Sequence, residues 1–145
     1  MKILLQRVTS AAVDIDGERV GEIGKGLMCL VGVEAHDTES TMRAAIDKLL
    51  AYRVFSDEQG KMNLSVQDIN GGVLLVSQFT LAANTRKGLR PSFSSAAPPD
   101  MARDLYHAAL DYAATKIDHV AAGRFAADMQ VSLVNDGPVT FLLEN

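Results

Sequence analysis

The sequence predicts a single α+β domain, in which a mixed or antiparallel sheet curls toward a barrel and packs against two main helices. Strand-like segments fill the first third of the chain, two segments have apolar residues at helical spacing, and further strand-like segments follow each of them. The predicted order is β-β-β-α-β-β-α-β-β. The length suits one domain, residues 1–145, and we find no internal repeat, low-complexity tract or linker.

Turn signals separate the first three predicted strands. Apolar residues alternate with aspartates up to Ile15, which indicates a half-buried strand, and Asp16-Gly17 is typical of a two-residue hairpin turn. A second strand is predicted near Glu18–Ile23, and the apolar run Leu27–Val33 predicts a buried third strand.

The first helix is predicted over residues 38–52. Asp37 or Thr38 is suited to cap its start, and Glu39 suits the positive end of the helix dipole. The residues at helical spacing are Met42, Ala45, Ile46, Leu49 and Leu50. A short segment, Lys61–Val66, follows between two turns.

The second half alternates strand, loop and helix. Val73–Leu81 predicts a strand in the middle of the sheet, because its first four residues are continuously apolar. The loop Ala82–Pro98 is long, as functional loops often are. A helix over Pro99–Lys116 is predicted to bury Leu105, Ala108, Ala109 and Tyr112. Two final strands, Met129–Val134 and Val139–Leu143, are predicted on either side of a turn at 135–138.

The charge is acidic overall and basic in one place. Fourteen basic and 18 acidic residues give a net charge of −4, which argues against a nonspecific nucleic-acid coat. No acidic residue lies between Asp68 and Asp100, however, and that interval contains Arg86, Lys87 and Arg90. This local patch is either a solvated surface loop or a contact for the phosphates of one nucleic-acid end.

The common catalytic and cofactor motifs are missing. The sequence has no P-loop, no dinucleotide-binding glycine pattern ahead of a helix and no nucleophile elbow. His36, His107 and His119 are too scattered to form a ligand pair, so we expect no metal site and no cofactor. Cys29 lies in an apolar run and is predicted to be an inert buried thiol. Without a signal peptide or membrane span, the chain is expected to be a soluble cytosolic protein with no membrane or DNA partner.

Two motifs carry candidate chemistry. In Ser77-Gln78-Phe79-Thr80 an apolar strand becomes polar, and strand alternation predicts Gln78 and Thr80 on one face, opposite Ser77 and Phe79. The second motif ends in Gly137-Pro138. A glycine allows close approach, and an X-Pro bond can be cis at a cost of only about 0.5–1 kcal/mol, which would direct two backbone carbonyls in nearly the same direction. Each motif alone is also explained by a simple strand end or turn.

Taken together, these motifs resemble those of the D-aminoacyl-tRNA deacylase family. The resemblance extends over nearly the whole chain. It is carried by Met1–Val8, Gly60–Val66, Ser77–Leu81, Arg90–Phe93 and Val134–Thr140.

The resemblance implies a cytoplasmic homodimer that hydrolyses the ester of D-aminoacyl-tRNA, and of glycyl-tRNA, to free amino acid and tRNA. It implies that Gly137-Pro138, in the cis form, enters the pocket of the other subunit and excludes L-amino acids, and that Arg7 holds this turn in place. Ser77, Gln78, Phe79 and Thr80 are the expected catalytic segment.

Two mechanisms and several other functions stay open at this point. Thr80 is a candidate nucleophile, although no neighbouring base can be named. The family pattern favours activation of water by the ribose 2′-hydroxyl of the tRNA, with backbone N–H groups near Phe79 and Thr80 receiving the oxyanion. The alternatives to a deacylase are a non-catalytic tRNA-binding module on the same fold, an editing domain for L-amino acids and a structural dimer.

Overall fold

The computed structural model describes residues 1–144 and confirms the predicted α+β class with a curled sheet. The strands are β1 (Lys2–Ile15), β2 (Glu18–Ile23), β3 (Gly26–Gly32), β4 (Phe55–Ser56), β5 (Met62–Leu64), β6 (Gly72–Ser77), β7 (Val120–Ala122) and β8 (Gln130–Glu144). The helices are α1 (Glu39–Ala51) and α2 (Pro99–Ala114), and a 3-10 helix spans Phe79–Ala82. No helix within residues 1–144 is both long enough and apolar enough to cross a bilayer.

Strand β1 is the centre of the sheet. It pairs with β8 along nearly its whole length, with β3 through residues 2–8 and with β2 through residues 11–15. Beyond β3 the order continues to β6 and β7, and these three strands are parallel. The Asp16-Gly17 turn between β1 and β2 has the positive φ values, 51° and 78°, that the sequence predicts for a type I′ turn.

The sheet curls until its two ends meet. A Cβ added to Gly21 in β2 would lie only 2.5 Å from the carbonyl oxygen of Ala122 in β7, so glycine is what allows this approach. One core cluster lies inside the curl and includes Met28 and Leu74, and a larger one lies between the sheet and the helices. Both faces of β3 and β6 are therefore buried, which explains their continuous apolar runs.

Helix α2 is docked on β6 by a buried tyrosine. The Tyr106 hydroxyl donates to the carbonyl oxygen of Leu75 at 2.8 Å, and burial raises the pKa of Tyr106 to about 12. The buried side of α2 is Ala102, Tyr106, Ala109 and Ala113. Of the residues predicted to be buried, only Ala109 lies on this side. Leu105, Ala108 and Tyr112 are half-buried at the edge of the core, so the buried face of α2 is rotated from the predicted one. Small alanines let α2 lie close to the sheet.

The start of β1 is fixed by a buried ion pair. The ammonium group of Met1 lies 2.6 Å from Oδ1 of Asp37 and 2.9 Å from Oε2 of Glu34. Asp37 also accepts from the backbone N–H of Glu34, while Thr38 caps α1. His36 approaches the same carboxylates, but the ammonium group takes the place between them that a cation would need.

Two predicted strand assignments were wrong. The strand predicted to run to Leu81 ends at Ser77, because β3, its partner in the sheet, ends at Gly32. The two strands predicted at the end of the chain are the single strand β8, since both halves pair with the same long β1. Strands β4 and β7 were not predicted, because segments of two and three residues give no periodicity to detect.

Candidate active site

A pocket opens where the parallel strands end. In a parallel sheet, ligand sites form beside the carboxyl ends of the strands. Here the end of β6 meets the start of α2 and the segment after β7, and together they enclose about 420 Å³. The lining residues are Ser77, Gln78, Phe79, Ala97, Pro99, Ala102, Phe125, Ala126 and Ala127. We call this space the strand-end pocket; it has an apolar wall and a polar rim.

The Ser77-Gln78-Phe79-Thr80 motif forms the polar rim of the strand-end pocket, because the chain leaves strand β6 and turns at this motif. The N–H of Gln78 still donates to the carbonyl oxygen of Val31 at 2.8 Å, as a last ladder bond. The N–H of Leu81 then donates back to the carbonyl oxygen of Gln78, and the 3-10 helix begins. The predicted alternation of Ser77 and Phe79 against Gln78 and Thr80 is therefore wrong, because residues 78–80 have left the strand.

This turn leaves hydrogen-bonding groups at the mouth of the pocket. Within residues 1–144, the backbone N–H groups of Phe79 and Thr80 have no protein acceptor, as is usual for the first residues of a helix. The Gln78 side-chain amide donates to the hydroxyl of Thr80, which fixes both side chains on the exposed side of the motif. Such a pair of unused N–H donors is suited to an oxygen that gains negative charge.

The pocket has no side chain with acid–base chemistry. None of the nine lining residues is an Asp, Glu, His, Lys, Arg, Cys or Tyr. The three histidines are exposed elsewhere on the chain, and Cys29 is fully buried in β3, where burial raises the pKa of its thiol. The lining that one chain provides therefore offers a reaction only hydroxyls, backbone groups, bound water and the substrate itself.

The second motif forms a protrusion on strand β8. Gln6 and Val8 of β1 are two positions apart, but their partners Thr140 and Asn135 are five apart, so β8 has three extra residues that loop outward. The tip of this loop is Gly137-Pro138, which is exposed and has a cis peptide bond. The predicted turn is thus an outward loop within one strand rather than a connection between two.

Side chains at the base of this loop hold its shape. The Arg7 guanidinium donates to the carbonyl oxygens of Asp136 at 3.0 Å and of Val54 at 2.7 Å. The Asn135 side chain accepts from the N–H of Val139 and donates to the hydroxyl of Thr140. Gly137 has a φ of +137°, and an added Cβ would lie 2.9 Å from Val139 Cγ2, so the tip requires glycine.

The chain does not bring its two motifs together. Arg7, Gly137 and Pro138 form one group, and Ser77 to Thr80 form another, with β1 and β3 lying between β8 and β6 in the sheet. Within the described chain, neither Gly137 nor Pro138 lines the strand-end pocket. The exposed loop and the open pocket therefore lie in two separate places on one copy of the protein.

The basic patch forms the tip of a small hairpin. Asn84 and Ser92 exchange two backbone hydrogen bonds, of 2.7 and 3.0 Å, and the Asn84 side chain accepts from the N–H of Arg86. The tip exposes Arg86, Lys87 and Arg90. Among the described residues, no carboxylate forms an ion pair with any of the three side chains. Their charge is therefore available to an anionic partner.

Sequence reasoning missed the far wall of the pocket. Phe125, Ala126 and Ala127 follow β7 in a segment without periodicity, and Ala126 has an uncommon positive φ of 63°. Phe125 was the only available signal, as a lone aromatic residue in a short, alanine-rich segment that contains a glycine. The anchors Val54 and Asn135 were also missed, because a backbone carbonyl and a turn amide have no sequence signature of their role.

Comparisons with known proteins agree over the whole chain. A family model described as D-Tyr-tRNA(Tyr) deacylase matches residues 4–144. A D-aminoacyl-tRNA deacylase of Pseudomonas aeruginosa strain UCBPP-PA14 is 60% identical over 145 residues, covering 100% of both chains. One of Ectopseudomonas mendocina strain ymp is 59% identical over 144 residues, covering 99% of both.

Solved structures extend the comparison to the fold. A structure titled c-Myc DNA Unwinding Element Binding Protein has a TM-score of 0.96 and 40% identity, covering 100% of this chain and 99% of its own. A structure titled as a probable eukaryotic D-amino acid tRNA deacylase has a TM-score of 0.86 over 98% of this chain and 97% of its own. At 16% identity, the second comparison shows the fold alone.

The anchoring of the loop by Arg7 can be tested without activity. Arg7→Leu removes both charged hydrogen bonds, and it is expected to lower the free energy of unfolding by about 2 kcal/mol in urea titrations. It should also speed amide exchange at Val139, whose N–H is protected inside the loop. Arg19→Leu removes an exposed arginine with two ion pairs, and it should cost under about 1 kcal/mol and leave Val139 unaffected. Unchanged exchange in Arg7→Leu would contradict the anchoring.

Proposed function

The chain belongs to the D-aminoacyl-tRNA deacylase family, and we propose that Gly137-Pro138 of one copy screens the amino acid bound at the rim of the strand-end pocket of a second copy. As a member of that family it is an ester hydrolase that acts on D-aminoacyl-tRNA. Water cleaves the bond between the amino acid and the ribose, and free D-amino acid and tRNA are released. The family match favours this activity over a non-catalytic tRNA-binding module.

The separation of the two motifs is the observation that carries this proposal. Among the described residues, each copy has a held, exposed loop that does not line the strand-end pocket, and a strand-end pocket that has no residue of this loop in its lining. In a twofold dimer, the same loop and pocket on each chain can serve each other, which makes two equal sites. The composite site also explains why Arg7 and Asn135 hold in place a loop whose tip is exposed and lies outside the strand-end pocket of its own chain.

The exposed edge of β8 is further evidence that a second copy binds beside the Gly137-Pro138 loop. β8 lies at an edge of the sheet, with β1 as its only partner strand among residues 1–144. Val134, Phe141 and Leu142 are exposed along it. An edge strand with exposed apolar side chains is a surface that proteins usually cover. A dimer formed here would cover it and place Gly137-Pro138 near the partner.

Backbone at the tip of the loop is suited to chiral selection. The enantiomers of an amino acid differ in the direction in which the side chain leaves Cα, so fixed backbone atoms in the L direction exclude every L side chain at once. Glycine passes such a filter because it has no side chain. Gly137 itself has no Cβ to occupy the space, and Arg7 and Asn135 limit how far the loop can yield.

The composition of the pocket supports chemistry assisted by the RNA. Ester cleavage needs an activated water and stabilisation of the oxyanion. The unused N–H groups of Phe79 and Thr80 serve as the oxyanion donors, and the lining residues include no general base. The neighbouring 2′-hydroxyl of the terminal ribose would then activate the water. Gln78 and Ser77 shape the rim, and Thr80 remains the alternative nucleophile.

The apolar wall and the basic hairpin have roles in binding tRNA. A space of about 420 Å³ between Phe79 and Phe125 suits the flat base of the terminal adenosine. The hairpin cations, Arg86, Lys87 and Arg90, would bind phosphates of the acceptor end, which gives affinity without selectivity for the amino acid. The enzyme would meet this substrate in the cytoplasm.

The proposed function is tested by ester loss from matched D-tyrosyl-tRNA and L-tyrosyl-tRNA. With the purified protein and EDTA present, the D ester should be lost at least about 100-fold faster than the L ester, which corresponds to about 2.7 kcal/mol of steric exclusion. Equal loss of both esters would contradict the chiral role of Gly137-Pro138. Loss of neither, with tRNA still bound, would favour the binding module.

The assistance by RNA is tested on a substrate that ends in 2′-deoxyadenosine. If the 2′-hydroxyl acts as the general base, its removal should slow cleavage of the D ester by about 10²–10⁴-fold. Thr80→Ala should retain activity within about tenfold, because it keeps both backbone N–H donors. Full activity on the deoxy substrate, with none left in a folded Thr80→Ala variant, would instead identify Thr80 as the nucleophile.

A further inference from the structure

We propose that Phe93, which packs against Phe79, binds the base of the nucleotide that precedes the terminal adenosine. This inference rests on the proposed function and extends it to the length of RNA that the enzyme reads. It means that the shortest efficiently cleaved substrate contains two nucleotides rather than one. The observations that carry it are the exposure of two aromatic rings, their place beside the pocket and the charge next to them.

The two rings form a tilted pair on the protein surface. Their centroids lie 5.2 Å apart with an interplanar angle of 44°. Phe79 is 58% exposed and Phe93 is 41% exposed. A single exposed aromatic residue is ordinary, but a contacting pair in which both rings remain open to solvent offers a ring face to a ligand. Proteins that bind single-stranded RNA use such faces as stacking platforms for bases.

The backbone around Phe93 is held firmly. Directly before it, Ser92 closes the hairpin on Asn84. Two residues after it, the Ser95 hydroxyl donates to the carbonyl oxygen of Ala82 at 2.6 Å, and the carbonyl oxygen of Ser95 accepts from the N–H of Ala35. Phe93 thus follows a closed hairpin on an anchored segment, so its ring has a fixed place relative to the pocket.

The order of features along the surface matches the order of groups in a tRNA end. Phe79 lines the strand-end pocket, Phe93 packs against Phe79 without lining the pocket, and the cationic hairpin ends one residue before Phe93. A strand whose terminal adenosine enters the pocket would place its preceding base at Phe93 and its phosphates at the hairpin. Residues 69–99 contain three cations and no acidic residue, which complements phosphate.

The test compares three D-tyrosyl esters: of adenosine, of the dinucleotide CpA and of full-length tRNA. For the wild-type protein, kcat/KM should rise about tenfold or more from adenosine to CpA, because one base–aromatic stack is gained. Phe93→Leu, which keeps an apolar side chain but removes the flat ring, should lower kcat/KM about tenfold on CpA and tRNA. The decrease in kcat/KM of Phe93→Leu on the adenosine ester should be much smaller. Phe93→Tyr should have the wild-type kcat/KM on all three esters.

A second measurement does not depend on catalysis. Uncharged CpCpA should bind the wild-type protein more tightly than adenosine does, and Phe93→Leu should remove most of this difference. A variant with Arg86, Lys87 and Arg90 all changed to Gln should flatten the salt dependence of tRNA binding, whereas Phe93→Leu should not change the slope. These two variants therefore separate stacking from charge.

Three results would overturn the proposal. The first is an equal loss on the adenosine and CpA esters in Phe93→Leu, which would place the ring in the pocket wall. The second is a change of oligomeric state in that variant by size-exclusion chromatography, which would show that a second copy covers Phe93. The third is equal binding of CpCpA and adenosine. A wild-type protein that cleaves no D ester but binds CpCpA through Phe93 would overturn the proposed function and keep this inference.

Discussion

The pairing of β8 with β1 is the constraint on which the rest of the structure depends. Because β8 has three more residues than β1 can pair with between Gln6 and Val8, the surplus must leave the sheet, and it leaves as the Gly137-Pro138 loop. The bend sits beside Arg7 on β1, which closes the base of the loop by binding the carbonyl oxygen of Asp136. The register of the sheet thus creates a backbone protrusion that lies on the exposed edge strand β8.

The same sheet keeps the loop and the strand-end pocket apart on one chain. The parallel strands β3, β6 and β7 end together and open a pocket that has backbone donors but no titratable side chain. In our account the protein positions the ester, receives the oxyanion and rejects the wrong enantiomer, while the ribose of the substrate contributes the proton chemistry. This mechanism requires the backbone N–H donors at the pocket mouth to be placed precisely. Hydrogen bonds such as the one from the N–H of Gln78 to the carbonyl oxygen of Val31 hold that backbone in place.

Much of the fold was predictable because the local signals were strong. Three local patterns each had one physical interpretation. Asp16-Gly17 predicted a hairpin turn, the spacing from Met42 to Leu50 predicted a helix, and the apolar runs of β3 and β6 predicted buried strands. The wrong strand assignments occurred where pairing with a strand distant in the sequence decides the bounds of a strand. Nothing near Gln78 shows that β3 ends beside it, and nothing near Asn135 shows that both flanks share one partner strand. The two motifs were visible as sequence, but Phe125 and Val54 joined the site only through tertiary structure.

The composite nature of the site is tested most directly by mixing two defective subunits. Gly137→Val disrupts the loop, because the positive φ and Val139 leave no room for its side chain, and Ala127→Trp fills the pocket. Each variant alone should lose D-selective cleavage. A dimer with one subunit of each kind, purified through two different tags, retains one intact pocket facing one intact loop. We expect it to recover D-selective cleavage at about half the wild-type rate. A mixed dimer with no more activity than its parents would show that the loop does not act on the partner's pocket.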